Sequence, residues 1–231
     1  MIITIHQPEH FAYFGFLDKV NKADVLVVLD DVQFKKNNFQ NRNQILTLNG
    51  PKWLSVPVEM KNIEDKNIQV RKIKDNWKEE YKNKIVEAYK KYPFFEENML
   101  WINQMLLLES DLLIDYNMFI LEKMLMLLDI DTKIVYASQL NIQTFKTQRL
   151  YDICQSLKGS QYLAGQGAID YLDETVFGHD VKILKHHFIH PEYEQLNNRS
   201  DEFIPYMSSL DILMSVGKDA FKAMLKKSKN A

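Results

Sequence analysis

Several things are scarce in this chain. Its 231 residues include one cysteine, Cys154, so no intrachain disulfide and no cysteine zinc cluster can form. A chain of that kind suits a reducing compartment, and the cytoplasm is the expected location. No run of 18 uncharged apolar residues occurs. The nearest stretch, 99–130, is interrupted by Glu109, Asp111, Asp115, Glu122 and Lys123, so no membrane span is expected. The opening Met1-Ile-Ile-Thr-Ile-His6 lacks the basic segment and the long apolar run of a signal peptide. Neither sign of charge dominates. Lys+Arg 29 against Asp+Glu 31 gives a net −2, which excludes the global positive field of a general nucleic-acid binder and leaves room for a local anion site. Arginine is sparse: Arg42, Arg71, Arg149 and Arg199 are the only four, and each is the better fork for phosphate or carboxylate. There is no repeat, no low-complexity linker, and no G-x-S-x-G, Walker or G-x-G-x-x-G pattern; Gly165-Gln-Gly167 is too little for a phosphate loop.

What is present has the balance of a soluble globular protein, 46% apolar and 26% charged. Ile2-Ile-Thr-Ile5 and Val25-Leu-Val-Val-Leu29 are short apolar runs of the kind buried on both faces of a parallel sheet. A helix over 14–21 between them makes a crossover. Trp53-Leu-Ser-Val-Pro-Val58 reads as a further strand, placed by Pro57 near an edge or bulge. A helix is expected over 76–92 and another after Ser110, whose stripe Ile114, Met118, Leu121, Leu125, Leu128 shares one face and reads as core. The last third alternates again: strands over 133–136, 161–165 and 181–188, with a helix over 149–157. Cys154 falls in that helix and reads as packing. The expected fold is α/β, a single domain over 1–231 with a parallel-sheet Rossmann-like core and a mainly helical insertion at about 75–130. Ligands of such folds bind beyond the carboxyl ends of the strands, where His6, Asp30 and Asp31, Gly165 and His187 to His190 lie.

Five blocks stand in order along the first quarter: His6-Gln-Pro8, Gly15-Phe16, Leu29-Asp-Asp-Val-Gln-Phe34, Asn41-Arg-Asn43 and Trp53-Leu-Ser-Val-Pro-Val58. Tyr162-Leu-Ala-Gly165, Tyr171-Leu-Asp173, His190-Pro191, Tyr193, Gln195 and Ser209-Leu-Asp211 follow later. With these blocks the chain resembles the WbqC-like protein family over nearly its whole length. It departs from the family pattern at His10, Ala12, Ala164 and Ser215. The resemblance implies a place in surface-polysaccharide (O-antigen) biosynthesis and transfer of glycine or another acyl group to an amino sugar.

The residues permit that chemistry. His6, ending a buried strand, is a candidate general base. Asp30 or Asp31 is a candidate to orient an amine; neighbours on an extended chain point opposite ways, so one of the two is expected to face the site. Gln7, Asn41 or Asn43 is a candidate oxyanion donor. Lys35 and Arg42, read as part of a basic loop with Lys36, Phe34 and Phe39, are candidates for a diphosphate or the acyl donor. Gln33, His187, His190 and Tyr193 complete the substrate-binding set. No metal site is expected: His6 and His10 would need Asp30 or Asp31 as a further ligand, and no zinc spacing is present. No cofactor is implied beyond the co-substrate, an acyl thioester or an aminoacyl-tRNA. The lysine-rich stretch 61–91, ten Lys/Arg against six Asp/Glu, permits the tRNA. The acceptor is expected to be a sugar, nucleotide-linked. The alternatives are a nucleotidyltransferase or other nucleotide-binding enzyme, on a fold-level analogy, and a non-catalytic member of a glycan-assembly complex. A homo-oligomer paired through the 99–130 helices is a further possibility, with core packing as the simpler reading.

Overall fold

A computed structural model describes residues 1–59, 67–169, 172–200 and 202–229. Five short strands form one all-parallel sheet: β1 (Ile2–His6), β2 (Val25–Val28), β5 (Lys133–Tyr136), β6 (Gln161–Ala164) and β7 (Lys182–Lys185), in the spatial order β5-β2-β1-β6-β7. Ile3 pairs with Val25 on one side of β1 and with Tyr162 on the other. The chain builds outward from β1 through β2 to β5, then crosses back to add β6 and β7 on the other side. The two halves part between β1 and β6. In doubly wound sheets that parting opens a crevice at the carboxyl ends of the strands.

The strands are apolar because both faces are covered. Their residues alternate between two apolar clusters. Ile3, Ile5, Val25 and Val27 pack with Leu150, Ile153 and Cys154 of α5 (Lys146–Ser156). Leu26 and Val28 pack with Phe16, Leu17 and Val20 of α1 (Phe14–Asn21), and with Leu213 and Phe221 of α7 (Ser209–Lys229). Cys154 is fully buried, and that burial pushes its thiol up to about 12, the behaviour of a small hydrophobe.

The connection from β2 to β5 carries everything between residues 29 and 132. It begins with an antiparallel hairpin, β3 (Arg42–Thr47) and β4 (Gly50–Ser55), and continues with α2 (Lys78–Tyr89), α3 (Phe95–Leu106) and α4 (Leu113–Leu127). The expected basic loop around Arg42 and Asn43 is thus the start of a strand. Its alternating burial carries polar side chains on the open face, which hides it in a hydropathy reading. The Ser110 region does open α4: the Ser110 hydroxyl accepts from the Leu112 amide at 3.0 Å, and the stripe from Ile114 to Leu128 is buried. The lysine-rich stretch is partly outside the described residues, at 61–66, as is Tyr171 of the matched blocks.

Helix α7 contains a break at Gly217 (φ 76°, ψ 173°), where a Cβ would come 2.6 Å from the Phe94 ring. A second residue pins the insertion to the core. His10 is fully buried, with Nδ1 3.0 Å from Asn117 Oδ1 and Nε2 2.6 Å from the Tyr81 hydroxyl. Both ring nitrogens are taken, so His10 has none to give a metal beside His6. Burial lowers its pKa to about 4, against a partial offset from Asn117. The unfolded chain therefore binds this proton more readily between about pH 4 and pH 6.5, so the stability owed to His10 is complete above pH 6.5 and lost as the pH falls towards 4. Urea melts of wild type and His10→Gln from pH 4 to 8 check this: the wild-type advantage should grow with pH up to about 6.5 and then level off. A constant difference would place the contribution elsewhere.

Candidate active site

The crevice between β1 and β6 is a cavity of about 640 Å³, within the range of small-molecule sites. Its floor is made by His6 and Gln7 at the end of β1, Leu29 past β2, and Gly165 and Gln166 past β6; Gln166 opens the short helix α6 (Gln166–Ile169). Its walls are Tyr13, Gly15, Phe16 and Lys19 from α1 and its approach, Phe188 beyond β7, and Tyr206. Gly15 lets the Tyr13 ring fold over the first turn of α1, since a Cβ there would lie 2.6 Å from the ring.

The period of two places His6 on the α1 side of the sheet, edge-on to Phe16 with ring centres 4.9 Å apart. Its Nδ1 donates to the Gln7 carbonyl at 3.0 Å, which leaves the Nε2 lone pair without a hydrogen bond among the described residues. Glu9 Oε1 lies 3.7 Å from the same Nδ1. Desolvation, then the charge of Lys19, lowers His6 to about 3 against the Gln7 bond, so its imidazole is neutral at physiological pH. Desolvation raises Glu9 to about 7, against the pull of Lys19. Desolvation lowers Lys19 to about 8, against the pull of Glu9. Lys19 is only 3% exposed, and among the described residues its ammonium has neither a hydrogen bond nor an ion pair. Glu9 is thus the group matched to proton transfer near neutral pH.

Of the residues singled out from sequence, His6 and Gln7 line this cavity. Gln7 Oε1 accepts from Gln40 Nε2 at 3.1 Å, which leaves the Gln7 amide hydrogens for a ligand. The others are engaged elsewhere. Asp30 is buried and accepts from Ser138 N at 2.9 Å, Ser138 Oγ at 2.6 Å and Gln69 Nε2 at 2.8 Å. Asp31 pairs with Arg149 at 2.5 Å. Asn41 donates to the Val56 carbonyl at 2.9 Å and Asn43 to the Phe11 carbonyl at 2.8 Å, so the N-R-N block ties the hairpin to the loop after β1. Arg42 stacks on Trp53 at 4.0 Å and donates to the Asn37 carbonyl at 2.7 Å. Gln33, Lys35 and His187 are exposed and do not line the cavity. Tyr193 donates to Asp211 Oδ2 at 2.8 Å inside the core. His190 sits among Phe188, Phe203 and Tyr206, of which Phe188 and Tyr206 line the cleft; burial lowers its pKa.

Glu9, Lys19 and Tyr13 were missed. Lys19 stands on a helix whose pattern gives no hint that β6 will close over it, and Glu9 lies in a proline-containing loop that reads as connection. The only available signal was the clustering of polar types beside His6.

Behind the cleft, Asp18 is fully buried and accepts from His186 Nε2 at 2.6 Å and from Lys22 at 3.1 Å. Burial pushes its carboxyl up, but His186, Ser228 and Lys22 outweigh it and hold the carboxyl below its usual range. Among the described residues no cluster of three His, Cys, Asp or Glu has metal-site geometry. No helix among them is long and apolar enough to cross a membrane.

Sequence comparison agrees with the early blocks. The "Uncharacterized protein Rv1507c" of Mycobacterium tuberculosis is 27% identical over 220 residues, covering 94% of this chain and 95% of that protein. No solved structure matches the chain. The model of the WbqC-like protein family matches residues 7–223 and so takes in Gln7, Glu9, Lys19, Gly165 and the walls of the cleft. A match running through the sheet, the insertion and α7 leaves one assignment: the chain belongs to the WbqC-like protein family.

Proposed function

We propose that the protein transfers an acyl or aminoacyl (glycine-type) group to the amine of a sugar, nucleotide-linked, in surface-polysaccharide (O-antigen) biosynthesis. The observation that supports this most directly is a carboxyl, Glu9, held at about 7 in a cleft at the parting of the sheet, beside a neutral His6. An amine reaches neutral water as an ammonium and must lose a proton before it attacks. Glu9 accepts that proton, and the His6 Nε2 lone pair orients the amine. The nitrogen then adds to the acyl carbonyl, whose developing oxyanion faces the free amide hydrogens of Gln7. Collapse breaks the C–S bond of a thioester, or the ester C–O bond of an aminoacyl-tRNA. The leaving sulfur or oxygen takes up the proton stored on Glu9, and the carboxylate so regenerated takes the second proton from the adduct nitrogen and releases it to solvent.

The test is to incubate the protein with glycyl or acetyl thioesters, or glycyl-tRNA, and nucleotide-linked amino sugars, and to read product mass. A mass gain on the amino sugar, absent from its hydroxyl counterpart, is the expected result. Acylation of neither would overturn the assignment. The sheet parting favours a second reading, a nucleotidyltransferase, because that is where doubly wound folds bind nucleotides. Release of pyrophosphate from a nucleoside triphosphate, with no acyl product, would put it first.

A further inference from the structure

We propose that the floor of the β1–β6 cleft is a phosphate subsite, in which the Lys19 ammonium receives phosphoryl oxygens of a nucleotide-linked substrate and Tyr13, Phe188 and Tyr206 form the wall beside its base. The assignment deepens the transferase reading and rests on it for the identity of the cleft.

A buried ammonium without an acceptor is costly to a fold, and such groups are normally paired. Lys19 is 3% exposed and lines the cleft without a hydrogen bond or ion pair among the described residues, and Asp18, beside it in sequence, is turned away to His186 and Lys22. The remaining acid of the cleft, Glu9, is kept half-protonated near neutrality. Space is held open at the ammonium by Gly165, where a Cβ would lie 3.2 Å from Nζ. The rest of the lining offers donors. Tyr13 and Tyr206 hydroxyls and the Gln166 amide have no hydrogen bond among the described residues, and Asn38, whose Oδ1 accepts from Phe39 N at 2.6 Å, keeps its amide hydrogens. One unpaired cation, many donors and few acceptors suit an oxygen-rich anion. The Tyr13 ring stands edge-on to Phe188 and tilted against Tyr206, with ring centres 6.0 Å apart in each pair, an aromatic corner with polar edges beside that floor. The volume of about 640 Å³ accommodates a nucleotide-sized molecule.

The titratable groups facing Lys19 are His6 and Glu9 from β1 and its loop, Tyr13 from the approach to α1, His186 past β7, and Tyr206. Among them Glu9 alone carries negative charge near neutrality. An incoming phosphate therefore favours the charged Lys19 and the protonated Glu9, and binding should take up protons between pH 7 and 9.

Thermal melts and titration calorimetry of the whole protein with inorganic pyrophosphate, uridine diphosphate and, as the carboxylate arm, sodium acetate test the subsite. Pyrophosphate and uridine diphosphate are expected to raise Tm, with the diphosphate binding better through its base, and acetate is not. Lys19→Met keeps the length of the side chain and removes the unpaired charge. It is expected to melt no lower than wild type and to bind the diphosphate about 30-fold or more weakly. Gly165→Ala, which retains the charge and crowds it, is expected to weaken binding without lowering Tm. Lys218→Met, at a surface lysine paired with Glu97, is expected to leave binding intact. A flat wild-type response, an equal response to acetate, or undiminished diphosphate binding by Lys19→Met overturns the subsite. Diphosphate binding lost in Lys19→Met, with no acyl product on any amine, leaves the subsite standing and removes the transferase reading. Acylation of unphosphorylated amino sugars with no response to diphosphates does the reverse.

Discussion

Glu9→Gln is expected to lose about 10²–10⁴-fold in turnover, the usual worth of a positioned general base, while melting later than wild type at pH 8. The two effects have one origin. Desolvation in the cleft raises the carboxyl from 4.5 to about 7. The folded protein then holds the proton more tightly than the unfolded chain between those values. The stability owed to the protonated acid is complete below pH 4.5 and lost as the pH rises through 7, so at pH 8 the ionised group burdens the fold. Glutamine matches the shape without the charge. The gain at pH 8 is on the order of 2–3 kcal/mol from the size of the shift, and it should vanish below pH 4.5. Steady-state rates and denaturant melts at several pH values read both. In the wild type, kcat/KM should rise through about pH 7 as Glu9 ionises and fall above about pH 8 as Lys19 loses its charge, the two limbs belonging to a coupled pair. A Glu9→Gln enzyme with wild-type turnover, or one with lower stability at pH 8, removes the acid from this role.

Asp18→Ala should be the most damaging single change to the fold outside the apolar core. Its carboxylate is fully buried and binds His186 at 2.6 Å and Lys22 at 3.1 Å. His186 is itself buried and donates its backbone amide to the Ala164 carbonyl of β6, so the pair clamps α1 to the far half of the sheet. Removing one member of a buried pair costs about 3–5 kcal/mol. For a chain of this size that is a fall in Tm of roughly 10 °C. Lys22→Ala, at a partly exposed position of the same cluster, should cost about 1 kcal/mol or less. Melting curves of the two variants decide it, and near-equal losses would mean that the buried pair is not what holds α1.

The parallel core was legible because its strands are nearly pure aliphatic runs, and only burial on both faces tolerates Val25-Leu-Val-Val28 in water. Helices α1 and α4 were legible from spacing. Strand β3 was not, because Arg42, Asn43 and Gln44 look like a loop until Asn43 is seen bonded to Phe11 and the hairpin to be closed by Ser55. The place of the candidate site, at the strand ends, followed from the α/β pattern. Its membership did not. Asp30 and Asp31 sit at the right height, but Ser138 lies 108 positions from the first and Arg149 lies 118 from the second, and local sequence does not carry partners so remote. Lys19 was hidden for the same reason: its burial is made by Gly165 and the loops beyond β6 and β7, far along the chain.

The long detour between β2 and β5 has a consequence for synthesis. Val28 pairs with Tyr136, and the chain between them is about a hundred residues long. At about 5–20 residues per second, a ribosome needs on the order of 5–20 s to deliver the second strand after the first. During that interval β1 and β2 can pair, but the outer edge of β2 stands open, four apolar residues wide, and β1 waits still longer for β6 on its other side. An open apolar edge is a template for other chains. Slower growth temperatures and holding chaperones should therefore raise the yield of this protein more than they would that of a chain whose neighbouring strands are close in sequence.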